Sequence, residues 1–117
     1  MNREDCYKAY ELMTIGMIEK NPDKLRDSMC EDAILGHMTG REESREEYIQ
    51  DILNGTLNYY DYRIEKFEFN KGFANIYIKL QAKVYNSFVS WWDLAMKASF
   101  KEEDGKVKVK KCEVRMA

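Results

Sequence analysis

A chain of 117 residues, 44% hydrophobic and 13% aromatic, has the size and apolar content of one domain with one core, spanning residues 1–117. Its 19 basic side chains nearly balance 21 acidic ones, a formal charge of -2, so it lacks the basic field that a nucleic acid or an anionic membrane would require. The opening MNREDCYKAYE is charged where a secretory leader needs an apolar run, no stretch of about 18 apolar residues occurs, and Cys6, Cys30 and Cys112 form no Cys-x-x-Cys pair, so a cytoplasmic protein with reduced, buried thiols is expected.

From Arg3 to Glu19, Cys6, Tyr10, Met13 and Met17 recur at helical spacing, and Tyr7, Ile15 and Ile18 widen the stripe into an amphipathic first helix. In NPDKLRDSM, Asn21 is placed as the N-cap and Pro22 at the first helical position of a short second helix, with Leu25 and Met29 on its buried side. AILGHMTG follows as a short extended piece punctuated by Gly36 and Gly40. Ser44 and Glu47 then open a third helix as a capping box, with Tyr48, Ile49, Ile52 and Leu53 as its apolar face and Gly55 as its stop. Glu42, Glu43, Glu46 and Glu47 gather at its start, where the helix dipole favours negative charge.

From Tyr59 the period changes to two. Turn signals at Asn70–Gly72, Asn86–Ser87 and Asp104–Gly105 divide the remainder into an antiparallel meander of four strands. In the second of these, Ala74, Ile76, Ile78, Leu80, Ala82 and Val84 share the core face. The first and last change phase, from Tyr60, Tyr62 and Ile64 to Phe67 and Phe69, and from Val107 and Val109 to Cys112, Val114 and Met116. A bulge in each restores one buried face and bends the sheet.

This order of elements, with NPDKLRDSMCEDAILGHMTGREESREEYI and the closing KEEDGKVKVKKCEVR, resembles the nuclear transport factor 2-like superfamily, whose nearest suggested relatives are SnoaL-like cyclases and ketosteroid isomerases. The resemblance implies an α+β cone: three N-terminal helices packed on a strongly curved, mixed or antiparallel sheet of about six strands. It also implies a pocket at the open end and frequent dimerisation through the convex face. It does not imply a reaction, because such a fold hosts many.

In FVSWWDLAMKASF the pleat sends Phe88, Trp92, Leu94, Met96, Ala98 and Phe100 to the pocket face, and Val89, Trp91, Asp93, Ala95, Lys97 and Ser99 outward. An outward Trp91 beside Val89, with Tyr77 and Tyr85 on the neighbouring strand, is an apolar surface that a homodimer would cover. Asp93 is then a rim charge beside Lys79, Lys83 or Lys97, unless a bulge near Ser90 turns it inward as a catalytic acid. The only histidine, His37, is the other candidate acid or base.

Tyr10, Met13, Met17, His37, Tyr48, Tyr62, Trp92 and Met96 are the expected pocket lining, suited to a small apolar or aromatic molecule. No phosphate loop, metal cluster or nucleophile pair is evident, so no cofactor or metal is expected. The leading reading is a small-molecule binding protein. The alternatives are a cofactor-independent isomerase, cyclase or dehydratase in which His37 or Asp93 moves a proton, and an interaction module with a filled interior.

Overall fold

The computed structural model describes residues 1–117. Helix α1 (Arg3–Glu19) starts at Asn2, whose side chain accepts the Asp5 N–H, and ends at a left-handed Lys20 with φ of 52°. Helix α2 (Pro22–Ser28) begins as expected, with Asn21 accepting the Lys24 N–H and Pro22 in the first turn. Gly16 lets the two helices close on each other, since a Cβ there would lie 3.1 Å from Leu25 Cγ and 3.2 Å from Leu25 N. Helix α3 (Arg45–Leu53) opens on the expected reciprocal bonds between Ser44 and Glu47. Its far end is closed by Lys20, whose Nζ donates to the Ile52 carbonyl at 2.8 Å.

Strands β1 (Met29–Gly36) and β2 (Glu42–Ser44) form an antiparallel hairpin, and β3 (Leu57–Asn70), β4 (Phe73–Val84), β5 (Ser90–Glu103) and β6 (Lys106–Met116) form the meander. The sheet order is β2-β1-β6-β5-β4-β3, and β1 runs parallel to β6, so the sheet is mixed and open. Its curvature comes from extra residues where the hydrophobic phase changes. The β3–β4 register shifts between Tyr59 and Asp61 and again between Ile64 and Lys66, and the β5–β6 register shifts between Ser99 and Phe100. Phe67, Val109 and Cys112 are thereby returned to the buried face, and a single core cluster of 25 residues joins the helices to the concave side.

Two hairpin turns follow the sequence signals, with positive φ at Lys71 and Gly72 and at Asp104 and Gly105. The third lies one residue earlier than expected. Tyr85 and Asn86 take the two left-handed positions, φ 50° and 63°, and the Ser87 N–H donates to the Val84 carbonyl at 2.9 Å. Tyr85 therefore leaves the outward row of β4. Phe88, expected on the pocket face, lies in the connection before β5 and is 89% exposed. No helix is long and apolar enough to cross a membrane.

Candidate ligand cavity

The concave rows of β4 (Leu80, Ala82, Val84) and β5 (Trp92, Leu94, Met96) face a cavity of about 90 Å³, closed by Met17 of α1, Tyr48 of α3 and the β1–β2 turn from His37 to Thr39. Fourteen of its 17 lining residues are hydrophobic. That apolar floor follows from period-two strands with one buried face. The volume falls below the roughly 300 Å³ of a drug-sized site. It is of the order of the roughly 150 Å³ apolar cavity that holds one benzene ring, the scale of one ring rather than of a fused system.

Of the expected lining residues, Met17, His37, Tyr48, Trp92 and Met96 face the cavity. Tyr10 and Met13 do not. They are buried one layer behind it, and the Tyr10 hydroxyl donates to Met96 Sδ at 2.9 Å. Tyr62 pairs with Leu80 but leans toward α1, and burial, then the neighbouring Glu11 and Tyr7, raise its hydroxyl above the ordinary value. Tyr85, expected with the outward aromatics, lines the cavity because of its left-handed turn. Sequence reasoning missed the lining roles of Leu35, Leu57, Leu80 and Val114.

The polar wall holds the larger surprise. Glu43, read as one of four acids gathered at a helix start, has a side chain only 1% exposed, and its Oε1 is hydrogen-bonded to His37 Nε2. Arg41 Nη2 donates to the other oxygen, Oε2, at 3.3 Å. Arg41 also lies 3.9 Å from Asp51 Oδ2, a buried oxygen with no hydrogen-bond partner. Burial pushes the Glu43 carboxyl above its ordinary value and the neighbouring Asp51 carboxyl adds to that, while the bond to His37 pulls the other way.

The cause of this inward turn is register. Leu35 pairs directly with Glu43, and His37 is two residues beyond Leu35, so the three share one face of the hairpin while Glu42 points out. Backbone bonds hold the turn, from the His37 N–H to the Arg41 carbonyl at 2.8 Å and from the Gly40 N–H to the His37 carbonyl at 2.9 Å. The His37 ring lies 6.1 Å, centroid to centroid, from Tyr48, whose hydroxyl donates to Tyr59 at 3.3 Å. Burial drives the Tyr48 and Tyr59 hydroxyls well above the phenol range, so both stay protonated.

Asp93, the second candidate acid, lies on the other side of the sheet. Opposite Lys79 on β4, its carboxylate meets that ammonium at 3.2 Å and is 66% exposed. No bulge interrupts the β4–β5 register, so nothing turns it inward. Trp91 and Val89 are each half exposed.

Elsewhere, Cys30, Asp32 and Glu103 bring ligand atoms within 4.8 Å of one another. Their carboxylates already have partners: Lys101 meets Asp32, Lys108 meets Glu103, and Glu103 accepts the Glu31 N–H. A larger groove of about 380 Å³ between α1, α2 and the β5–β6 hairpin is open, with three hydrophobic residues among its 10. The three cysteines are buried and unpaired, and burial pushes the Cys112 thiol up to about 12.

No protein-family model and no curated protein matches the sequence. Solved structures do match. An NTF2-like protein of unknown function in nutrient uptake from Rhodospirillum rubrum superposes with a TM-score of 0.85 at 12% identity, covering 97% of this chain and 98% of its own. An NTF2-like protein from Cytophaga hutchinsonii gives 0.80 at 13% identity, over 100% of both chains. An NTF2-like protein of unknown function from Prochlorococcus marinus gives 0.76 at 15% identity, over 100% of this chain and 94% of that one. The chain has the α+β NTF2-like cone fold, as the order of its elements led us to expect.

Proposed function

We propose that this chain is a small-molecule binding protein that holds an apolar or aromatic molecule of one-ring size inside the cone. The observation that carries the reading is a concave cavity, lined almost wholly by hydrophobic side chains, with His37 in its wall backed by the buried Glu43 carboxyl. Convergent polar groups in an apolar cleft are the usual composition of a ligand site. The interaction-module reading needs a filled interior and is correspondingly disfavoured. The isomerase, cyclase or dehydratase reading needs an inward acid or base, and of its two nominees only His37 lines the cavity.

The test uses nitrobenzene and the fluorescence of Trp92 in a Trp91→Phe background. Saturable quenching that Ala82→Leu removes supports the reading, because Ala82 lines the cavity and a leucine there would fill it. Absence of saturable quenching by both nitrobenzene and 4-nitrotoluene overturns it.

The same proposal includes a homodimer and a cytoplasmic location. Trp91 and Val89, each half exposed, with Tyr77 on the outward row of β4, support a second copy covering this face. Three unpaired cysteines fit a reducing compartment. Native mass spectrometry reads the subunit number and any retained ligand together, and a monomer at all concentrations would overturn the dimer.

A further inference from the structure

We infer that His37, held by Glu43, is a base facing the cavity that takes the proton of a one-ring phenol or enol. The inference rests on the cavity-binding reading and adds to it a ligand class and a proton-transfer step. A histidine whose Nε2–H donates to a carboxylate keeps the lone pair on Nδ1, and Nδ1 of His37 has no partner in the protein. The ring is fixed by its turn, by Glu43 and by the Tyr48 ring, so that Nδ1 is the one nitrogen left to act.

The ligand class follows from what surrounds the His37–Glu43 pair. The charged groups are Glu43 from β2, Arg41 from the hairpin turn and Asp51 from α3, and the hydroxyls are Tyr48 from α3 and Tyr59 from β3. A carboxylic acid would arrive as an anion, and a carboxylate is costly to move from water into a cavity lined almost wholly by hydrophobic side chains. An aliphatic alcohol is too weak an acid to be deprotonated by an imidazole. A phenol or enol enters neutral, fills the apolar floor and carries an O–H acidic enough for the transfer.

In the step, the ligand O–H bond breaks and an Nδ1–H bond forms. The imidazolium keeps its Nε2–H on Glu43, and the phenolate oxygen remains against the new Nδ1–H. The Tyr48–Tyr59 bond uses one of two hydroxyl hydrogens, which leaves one O–H in the cavity wall to donate to the new anion. Glu43 is thus a positioning residue, acting through His37.

The experiment binds 4-nitrophenol, whose phenolate is yellow, to wild type, His37→Asn and Glu43→Gln across a pH series, with nitrobenzene as the non-ionisable partner of the same shape. The expected result is that bound 4-nitrophenol ionises at a pH lower by at least about one unit than in water, a tenfold effect. His37→Asn binds both probes but abolishes the shift, and Glu43→Gln shrinks it. Binding of 4-nitrophenol with no shift, or with the same shift in His37→Asn, overturns the base and leaves the cavity reading standing. Binding of nitrobenzene but not 4-nitrophenol overturns the ligand class. Failure of both probes overturns the inference and the cavity reading together. Circular dichroism of each variant separates lost binding from lost fold.

Discussion

Glu43→Gln sets two large forces on a buried carboxyl against each other. Ionised, Glu43 receives hydrogen bonds from His37 and, at 3.3 Å, from Arg41. Such charge-assisted bonds are worth about 1.5–3 kcal/mol each, and the half-exposed Arg41 belongs at the low end. Against them stand the removal of a carboxylate from water, which costs several kcal/mol, and the nearby Asp51 carboxyl. The raised titration of Glu43 says that burial wins. The folded protein therefore holds this proton to a higher pH than the unfolded chain does, whose glutamates titrate near 4.3. Stability from this group is complete below that value and is lost as pH rises through the folded one. Glutamine resembles the protonated acid and loses nothing. Wild type and Glu43→Gln should be closest near pH 4, with the gap widening in favour of glutamine as pH rises, by about 1.4 kcal/mol for each unit separating the folded and unfolded titrations. Urea denaturation of both proteins over a pH series reads the difference, in which titrating groups remote from residue 43 cancel. If wild type instead gains on the glutamine variant as pH rises, ion pairing outweighs desolvation and the account of Glu43 is wrong.

Asp93→Asn should change stability by less than about 1 kcal/mol and leave nitrobenzene affinity untouched, because its pair with Lys79 is solvent-exposed. A tenfold loss of affinity would put Asp93 in the site. Gly16→Ala gains about 1 kcal/mol of helix propensity but presses a methyl to 3.1 Å from Leu25, and overpacking of this kind costs about 1–3 kcal/mol. Net destabilisation is expected in thermal melts, and a higher midpoint would refute the overpacking argument by showing that Leu25 and Lys24 give way to the methyl. Ser44→Ala removes the acceptor for the Glu47 N–H and should cost about 1 kcal/mol by chemical denaturation. A neutral result would mean that Glu47 alone secures the start of α3.

The elements were legible wherever one local rule decided them. Asn21 and Pro22, then Ser44 and Glu47, announce helix starts because their side chains satisfy backbone donors within three residues. The phase slip from Ile64 to Phe67 announces a bulge, since a strand can keep a buried face only by inserting a residue. The third hairpin turn was misread because its left-handed pair begins at Tyr85, a residue with no intrinsic preference for that conformation. One residue of error there moved Tyr85 from the outer surface to the cavity. Tyr10 was misplaced for a different reason: helical periodicity gives the buried face but not the depth, and Met96 stands between its hydroxyl and the cavity.

Glu43 and Asp93 show why acids resist such reading. Both lie in strands close to aromatic residues, and composition gives no hint that one is buried and the other solvated. For Asp93, regular pleating was enough, because β5 keeps an unbroken register with β4 and Lys79 lies opposite. For Glu43, the deciding contact is non-local: the six-residue span from His37 closes on itself, Leu35 pairs with Glu43, and the pleat then aligns Leu35, His37 and Glu43. A histidine and a glutamate flanking a glycine-bearing turn were the available signal. The helix dipole offered a cheaper explanation for the acids, and it holds for Glu46 and Glu47, which lie in the first turn of α3. It fails for Glu43, because a three-residue strand before the cap alternates its side chains and sends the middle one inward. The cavity's one built acid–base pair is therefore a product of hairpin register.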